Sequence, residues 1–304
     1  MRIFVGTLHT IENEFEECVA SIQRQTYTNF QHFIFEHLSN KEAHDTLYAT
    51  FMRRATEFDL LIKVDADMVI EDRELFAKIV YKFSKNDHLK ELDIPVYDWF
   101  SDQLVSGMRT YRNSVKWQRN SENLFLDLSP LPSHERMYNV IELAPAAIHC
   151  KNPSPFQAFH FGIHKGLKIL QPKQEIRRKL HTGYHWNNIQ RTWQNFLRTR
   201  DVRRGFAVLA AELVFKKVFE IKHLDYSDPY PLLIFEKIED YDREKILAEI
   251  KRLRFSNWGF LPSNWRRRAL FYLTDREILK KNTLAAFLRR IFSIQKHSQW
   301  FEKK

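Results

Sequence analysis

Short apolar runs alternate with amphipathic stretches over the first part of the chain. The apolar runs are brief and rich in β-branched and aromatic side chains, which predicts buried strands at residues 2–8, 31–36, 60–64 and 92–97. Between them, apolar side chains recur three or four positions apart, which predicts helices at 15–22, 47–55 and 75–83. Asn13, with Glu16 three residues later, resembles a capping box before the first helix, and Asp72 is placed to cap the third. This alternation predicts an α/β fold with a mostly parallel sheet covered by helices.

The second half of the chain has a different pattern. Residues 99–150 are irregular and rich in aromatic side chains, which predicts short strands and loops. Ser154 followed by Pro155 favours a helix start, and that helix continues to Leu170. Further helices are predicted at 176–200, 202–223, 242–254 and from 283 onward. We therefore predict an α/β domain at residues 1–170 and an all-helical domain at residues 171–304.

Composition excludes several classes of site. The chain of 304 residues has seven glycines, where an average chain would have about 20, and their spacing excludes dinucleotide fingerprints and P-loops. The two cysteines, Cys18 and Cys150, lack a C-x-x-C partner, which argues against a disulfide framework or a zinc knuckle. No run free of Asp, Glu, Lys and Arg reaches the roughly 18 residues of a membrane span. We therefore expect a cytoplasmic protein that neither crosses nor is exported through a membrane.

Charge divides the chain close to the predicted domain boundary. Residues 1–164 hold 17 Lys and Arg against 23 Asp and Glu, whereas residues 165–304 hold 31 against 15. The first part is thus mildly acidic and suited to a cation, and the second is strongly basic and suited to an anionic surface.

Three tracts carry much of the basic character. They are residues 200–204, residues 264–268, and residues 284–292, where an apolar stripe lies beside Arg289 and Arg290. Such a stripe is typical of a helix lying at a membrane interface, so we expect peripheral binding to an anionic membrane. The alternative is a solvated face of a helical domain. No nucleic-acid-binding motif accompanies the charge, so nucleic acid is not expected.

An acidic pair follows the third predicted strand. Residues 61–70 read LIKVDADMVI, so the strand runs directly into Asp65 and Asp67. Ligands gather at the carboxyl ends of strands in open α/β sheets, and strand alternation would place Lys63 on the same face as both carboxylates. Two such carboxylates suit a divalent cation that also binds substrate phosphates. The alternative interpretation is that the pair only ends the strand and caps the next turn.

The residues before this pair resemble a known family. Residues 12–37, ENEFEECVASIQRQTYTNFQHFIFEH, follow the helix-strand pattern E-x-x-L-x-x-C-I-x-S-I-x-x-Q-T-Y-x-N-F of family-two glycosyltransferases with the GT-A fold. The matching positions include Ser21, Gln25, Thr26, Tyr27 and Phe30. A D-x-D at the expected distance completes a resemblance that covers residues 2 to 80.

The resemblance implies a GT-A-type, Rossmann-like domain acting on a nucleotide sugar. It implies a UDP- or GDP-sugar donor, Mg²⁺ or Mn²⁺, and a glycan or glycolipid acceptor in polysaccharide biosynthesis. Carried over by position, Thr7 and His9 would line the nucleoside, and Glu36 would replace an Asp that contacts uracil or ribose. Asp65 and Asp67 would hold ribose and metal.

Two departures from the family pattern concern the donor site. The family usually has D-D-G-S where this chain has EHLS at 36–39, which leaves the base and the donor open. The Arg that often precedes the third strand is missing near Ala49. Lys63 could replace it as a phosphate partner, or could form an ion pair with an aspartate instead.

An inverting transfer needs a carboxylate base for the acceptor hydroxyl, well past the D-x-D. Glu135 is the favoured candidate because it lies nearest to the usual acidic position before the closing helix, with Asp127 next and Asp98 and Asp102 as further candidates. The alternative for Glu135 is a surface carboxylate paired with Arg136.

Three histidines lie close to the start of the long helix after residue 154. His149 is a candidate third metal ligand, and His160 and His164 share one helix face at a spacing that also suits a metal or a phosphate. The alternative for each is a packed or hydrogen-bonded histidine.

Two other classes of function remain open. A haloacid-dehalogenase-like phosphohydrolase also begins with an apolar strand followed by D-x-D-x-T/V, with Asp65 as the nucleophile, although that motif usually ends the first strand of its domain. A non-catalytic basic module that binds a membrane or nucleic acid would leave the D-x-D without a role.

Overall fold

A mixed sheet forms the first part of the molecule. The structure is a computed structural model, and it describes residues 1–126, 136–137, 140–170 and 176–258. The strands are β1 (Ile3–His9), β2 (Phe30–Glu36), β3 (Leu60–Lys63), β4 (Met68–Val69), β5 (Glu91–Asp98), β6 (Gln103–Arg112), β7 (Arg136–Met137) and β8 (Ile148–His149). The helices of this part are α1 (Phe15–Gln23), α2 (Asn40–Arg53) and α3 (Leu75–Lys85). The predicted α/β class is confirmed.

The sheet is mixed rather than mostly parallel, so that expectation was wrong. Its order is β2-β1-β3-β6-β5-β8-β4, with β7 beside β5. β1 pairs in parallel with β2 and β3, but β6 runs antiparallel to both β3 and β5. The reason is local: β5 and β6 are joined by a four-residue turn, too short for the crossover that parallel strands need.

Each face of the sheet is covered by helices, as the apolar stripes predicted. Cys18 and Ile22 of α1 and Ile79 of α3 share one buried cluster with alternate residues of the strands. Leu47 and Phe51 of α2 lie in a second cluster on the opposite face. Burial of these stripes on both faces supplies the main stabilising free energy of the α/β layer.

The predicted capping box of α1 does not form. The helix begins at Phe15 without a side-chain cap, and the Asn13 side chain donates to the backbone carbonyl of Asn152 instead. The Asp72 side chain accepts a hydrogen bond from the Glu74 backbone N–H just before α3. Asn13 is thus used to connect distant parts of the chain.

The described elements after β8 are helical. They are α4 (Pro155–Leu170), α5 (Ile176–Thr199), α6 (Val202–Phe215), α7 (Pro229–Phe235) and α8 (Arg243–Trp258), with a short 3-10 turn at Ile221–His223. Helices α4 and α6 lie very close together at Gly162, where an added Cβ would be 2.0 Å from the Ala207 carbonyl oxygen. Of these described helices, none has the length and apolar character needed to cross a membrane.

Helix α6 ends earlier than predicted. Lys217 adopts a left-handed φ of 61°, and the backbone N–H groups of Lys217 and Val218 donate to the carbonyls of Val214 and Leu213. This is a Schellman ending, in which glycine usually occupies the left-handed position. Because a lysine takes that place, the pattern gave no stop signal.

Helices α5 and α6 hold the turn between β5 and β6. The Arg204 guanidinium lies 4.1 Å from the Trp99 ring centre and donates to the Trp99 carbonyl. The Asn195 side chain donates to the Phe100 carbonyl, and Arg198 pairs with Asp102 at 2.8 Å. The turn residues 99–102 are therefore fixed by the helical part of the chain.

Candidate active site

Three strands bring the candidate site together at one end of the sheet. In the strand register, His149 of β8 lies opposite Asp98 of β5 on one side and opposite Met68 of β4 on the other. Asp67 immediately precedes Met68, in the turn that follows β3. Residues far apart in sequence therefore meet at the sheet end where the D-x-D lies.

Asp67, His149 and Cys150 form the tightest group. Asp67 Oδ2 lies 3.3 Å from His149 Nε2 and accepts a hydrogen bond from the Cys150 thiol at 3.2 Å. The Cys150 Sγ lies 3.5 Å from His149 Nε2. The three ligand atoms all lie within 4.8 Å of one another, so this group could hold a metal ion.

Asp98 orients the imidazole of His149. His149 Nδ1 donates to Asp98 Oδ1 at 2.8 Å, and the other oxygen of this buried carboxylate accepts from the Ser101 backbone N–H at 2.8 Å. Burial acts to raise the pKa of Asp98, but the hydrogen bond and charge of His149 outweigh it and lower that pKa. A carboxylate behind the imidazole is the usual support of a metal-binding histidine, because it directs Nε2 toward the ion.

The chemistry of these residues fits a divalent cation. Asp67 Oδ1 is buried and makes no hydrogen bond within the described part of the chain. Such an atom carries a desolvation cost unless something else binds it. A carboxylate and a supported imidazole are donors that divalent metals accept.

Asp65 lies apart from this group. Its Oδ1 is 2.6 Å from Lys63 Nζ, and the Lys63 side chain is only 7% exposed. The cause is that β3 ends at Lys63, after which the chain turns and the Asp67 backbone no longer follows strand alternation. Lys63 and Asp65 therefore share one face as expected, whereas Asp67 turns toward β8.

The predicted nucleoside contacts divide into two environments. His9 and Glu36 are register partners at the ends of β1 and β2, and His9 Nδ1 donates to Glu36 Oε1 at 3.2 Å. His9 also stacks on Phe15 at 3.7 Å. Thr7 is fully buried, and its hydroxyl forms a 2.9 Å hydrogen bond with His32 Nε2.

The sequence pattern did not single out two glutamates beside the site. Glu12 Oε2 accepts from the backbone N–H groups of Thr10 and Ile11, and burial, with the charges of Asp67 and Asp65, raises its pKa to about 7. Glu14 is buried and accepts from the Gln157 side chain at 2.9 Å. Their position directly after β1 was the available signal, since ligand-binding residues follow strands in such sheets.

The helical part contributes two more side chains. Lys165 of α4 lies over the Phe161 ring at 4.8 Å; burial lowers its pKa, opposed by the charges of Asp98 and Asp67. Tyr226 stacks on His160 at 3.7 Å, and burial, with the charges of nearby Glu12 and Asp67, raises its pKa well above the ordinary value. In the sequence, Lys165 was indistinguishable from the other lysines of the basic half.

Of the four candidate bases for the acceptor hydroxyl, two lie within the described residues, and both of these already have hydrogen-bond partners. Glu135 and Asp127 lie outside the described residues. Asp98 is committed to His149 and Ser101, and Asp102 bonds to the Tyr97 hydroxyl and to Arg198.

The other two predicted histidines lie away from the Asp67 group, and only one of the three basic tracts lies within the described residues. His160 and His164 lie on α4 with ring centres 6.0 Å apart, and neither belongs to the Asp67 group among the described residues. In the tract 200–204, Arg204 is 6% exposed. The tracts 264–268 and 284–292 lie outside the described residues.

Comparison with known proteins does not show which family the chain belongs to. No family model matches the chain, and no curated protein matches it. One similar solved structure is A197 from STIV, 11% identical with a TM-score of 0.29, covering 37% of this chain; this chain spans 65% of that protein's length. Another is the mannosyltransferase PcManGT from Pyrobaculum calidifontis in complex with GDP-Man and Mn2+. It is 12% identical with a TM-score of 0.36, covering 85% of this chain and 87% of that one. Similarity at these levels does not assign a function.

Proposed function

We propose that the protein is a glycosyltransferase that moves a sugar from a UDP- or GDP-sugar to a glycan or glycolipid acceptor. One observation carries the proposal: Asp67 of the D-x-D meets the supported imidazole of His149 through Oδ2 at the carboxyl end of β3, and its buried Oδ1 makes no hydrogen bond within the described residues. The helix-strand resemblance of residues 12–37 supports the same class.

The donor site divides its roles among residues of several elements. Asp67 and His149 hold a divalent cation, which when bound neutralises the diphosphate leaving group. His9 and Glu36 form an edge for the nucleoside. Lys63 holds Asp65 at 2.6 Å, which presents the Asp65 carboxylate to the ribose.

Lys165 adds a positive charge on the helical side of the same site. No carboxylate lies within ion-pair distance of its ammonium among the described residues, although the charges of Asp98 and Asp67 act on it. A half-buried ammonium suits a phosphate, because the opposite charges attract and hydrogen bonds between them are charge-assisted. In the proposal it contacts the donor diphosphate.

The acceptor part of the proposal rests on residues beyond those described. Glu135 takes the proton of the acceptor hydroxyl in an inverting transfer, with Asp127 as the second candidate. The acceptor lies at the cytoplasmic face of an anionic membrane, with the tracts 264–268 and 284–292 as the contact. Arg204 has no part in that contact, since it is buried against Trp99.

The test is calorimetric titration of uridine and guanosine diphosphates without a divalent cation and, in separate runs, with Mn²⁺ or Zn²⁺. We expect binding that depends on the cation, and loss of that dependence in Asp67→Asn, which keeps the shape of the side chain but removes its charge. Asp87→Asn, at an exposed carboxylate, is the matched control and should bind as the wild type does. Binding that needs no cation and survives Asp67→Asn would contradict the proposal.

A second arm separates the phosphohydrolase alternative. That mechanism requires Asp65 to attack phosphorus and become transiently phosphorylated, so beryllofluoride would form an adduct on Asp65. The transferase forms none, because its Asp65 is held by Lys63 and touches the ribose. An adduct on Asp65 would contradict the glycosyltransferase proposal and support the phosphohydrolase.

A further inference from the structure

Two consecutive side chains, those of His149 and Cys150, converge on one carboxylate oxygen of Asp67. In an extended strand, neighbouring side chains point to opposite faces, so this convergence needs a departure from strand geometry. Cys150 supplies it, because its φ is 52° and β8 ends at His149. A left-handed conformation is uncommon for a residue other than glycine, and strain of this kind concentrates at functional sites.

The strained residue is held firmly in place. The Cys150 backbone N–H donates to the Asp67 carbonyl at 2.8 Å, and its thiol donates to Asp67 Oδ2 at 3.2 Å. On the other side of the group, Asp98 fixes the ring of His149 at 2.8 Å. The three donor atoms are therefore positioned by the backbone and by a supporting carboxylate.

The distances between the donor atoms are close to those around one tetrahedral ion. The separations are 3.3 Å for oxygen to nitrogen, 3.5 Å for nitrogen to sulfur and 3.2 Å for oxygen to sulfur. Zinc bonds of about 2.0–2.2 Å to N and O and about 2.3 Å to S, at tetrahedral angles, give ligand separations of about 3.3–3.6 Å. The oxygen–nitrogen and nitrogen–sulfur separations fall in this range, and the hydrogen-bonded oxygen–sulfur pair lies closer than the range. Three protein ligands with one open position are the pattern of catalytic zinc sites.

We propose that Cys150 is the third protein ligand of the cation site, beside Asp67 and His149, and that it makes the site selective for thiophilic cations such as Zn²⁺ or Co²⁺ over Mg²⁺ and Mn²⁺. Thiolate sulfur is a soft donor that Mg²⁺ and Mn²⁺ bind poorly. Asp65 is not a ligand in this site, since Lys63 holds it. The proposal builds on the cation site of the proposed function but does not depend on its nucleotide chemistry.

Binding of the cation changes the bonding of Cys150 in one balanced step. The S–H bond breaks, its proton leaves to solvent, and the sulfur electron pair forms the bond to the metal. No oxidation or reduction accompanies the step.

The first measurement is titration of the metal-free full-length protein with Co²⁺, followed by optical absorption. The wild type should bind one Co²⁺ and develop the absorption of charge transfer from thiolate to metal, together with the visible bands of a tetrahedral ion. Saturation with Co²⁺ without the thiolate absorption would overturn the proposal. This measurement needs no substitution, so it does not depend on how variants fold.

The second measurement compares affinities by competition with a metal-binding dye. The wild type should bind Zn²⁺ more tightly than Mn²⁺. Cys150→Ser should lose the thiolate absorption and weaken Zn²⁺ binding by at least about 100-fold, since even supporting residues contribute 10–100-fold. Mn²⁺ affinity should change little. Unchanged Zn²⁺ affinity in Cys150→Ser, or a wild type that prefers Mn²⁺, would also overturn the proposal.

Cys18→Ser is the matched control, because Cys18 is the other free cysteine, also buried, with its thiol 3.6 Å from the Asp65 carbonyl. It should keep the thiolate absorption and the Zn²⁺ affinity. The nucleoside diphosphate titration separates the two proposals. The thiolate absorption without nucleotide binding would support the metal site and contradict the glycosyltransferase proposal. Cation-dependent nucleotide binding without the absorption would support the glycosyltransferase and contradict Cys150 as a ligand.

Discussion

The imidazole of His149 donates from Nδ1 to the buried Asp98 carboxylate at 2.8 Å, so only its Nε2 faces Asp67. The first prediction concerns this support. Asp98→Asn should lower cation affinity by about 10–100-fold, because the amide keeps the shape but makes the imidazole less basic and less firmly oriented. Calorimetric titration with the metal alone measures it. Asp87→Asn, at an exposed carboxylate before β5, should stay close to wild type; equal losses in both variants would show that the effect does not come from the support of His149.

The second prediction concerns Lys165 and the diphosphate. Lys165→Met keeps most of the apolar stem and removes the charge, so nucleoside diphosphate affinity should fall by about tenfold or more, given about 1.5–3 kcal/mol for a charged hydrogen bond. Cation affinity measured without nucleotide should not fall. Lys222→Met, at an exposed lysine, is the control. Unaltered nucleotide binding in Lys165→Met would remove this residue from the donor site.

The third prediction concerns the contact between α4 and α6. Gly162→Ala should destabilise the protein by about 1–3 kcal/mol, since the added Cβ would lie 2.0 Å from a backbone carbonyl of α6. Gly166→Ala should cost less, because its nearest contact, with Val214 Cβ at 2.9 Å, is much less severe than the 2.0 Å contact at Gly162. Denaturant unfolding gives both free energies. The reverse order of costs would show that α6 shifts as a unit.

The fourth prediction concerns pH and His160. Burial lowers the pKa of His160 from 6.5 to about 4, opposed by a hydrogen bond to the Leu224 backbone. The unfolded chain therefore binds a proton below pH 6.5 that the folded protein does not bind until about pH 4. Stability is complete above pH 6.5 and is lost as pH falls toward 4.

Between pH 7 and pH 5 this histidine should remove about 2 kcal/mol of unfolding free energy. His160→Gln should reduce the pH dependence by that amount, whatever its effect at pH 7. His88→Gln, at an exposed histidine, should leave the slope unchanged. The same slope in His160→Gln as in wild type would mean that the histidine is protonated in the folded state.

The sequence pattern was sufficient where structure is local. The first three strands and the helices between them follow from short apolar runs and amphipathic spacing, and α4 begins at Pro155 as predicted. Strand β6 could not be placed, because nothing in its ten residues specifies that it returns between β3 and β5. Pairing of this kind is decided by turn length and by the fit of distant surfaces.

Part of the candidate site could be predicted from the sequence for the same reason. The D-x-D was visible because it directly follows an apolar strand. The meeting of Asp67 with Cys150 depends on β8, a strand of two residues, and on a left-handed cysteine where glycine would have been the usual signal. Lys165 and Tyr226 reach the site only because α4 docks beside the sheet, which no periodicity reveals.

The turn that follows Asp98 is bonded to helices far along the chain. Arg204 lies over the Trp99 ring, Asn195 donates a hydrogen bond to Phe100, and Arg198 forms an ion pair with Asp102. Asp98 in turn sets the direction of the His149 ring. The helical half thus supports the proposed cation site, although the three proposed ligands all lie before α4. A chain shortened before α5 would retain Asp67, His149 and Cys150. It would lose the contacts that fix the turn after Asp98, and with them the orientation of the His149 ring.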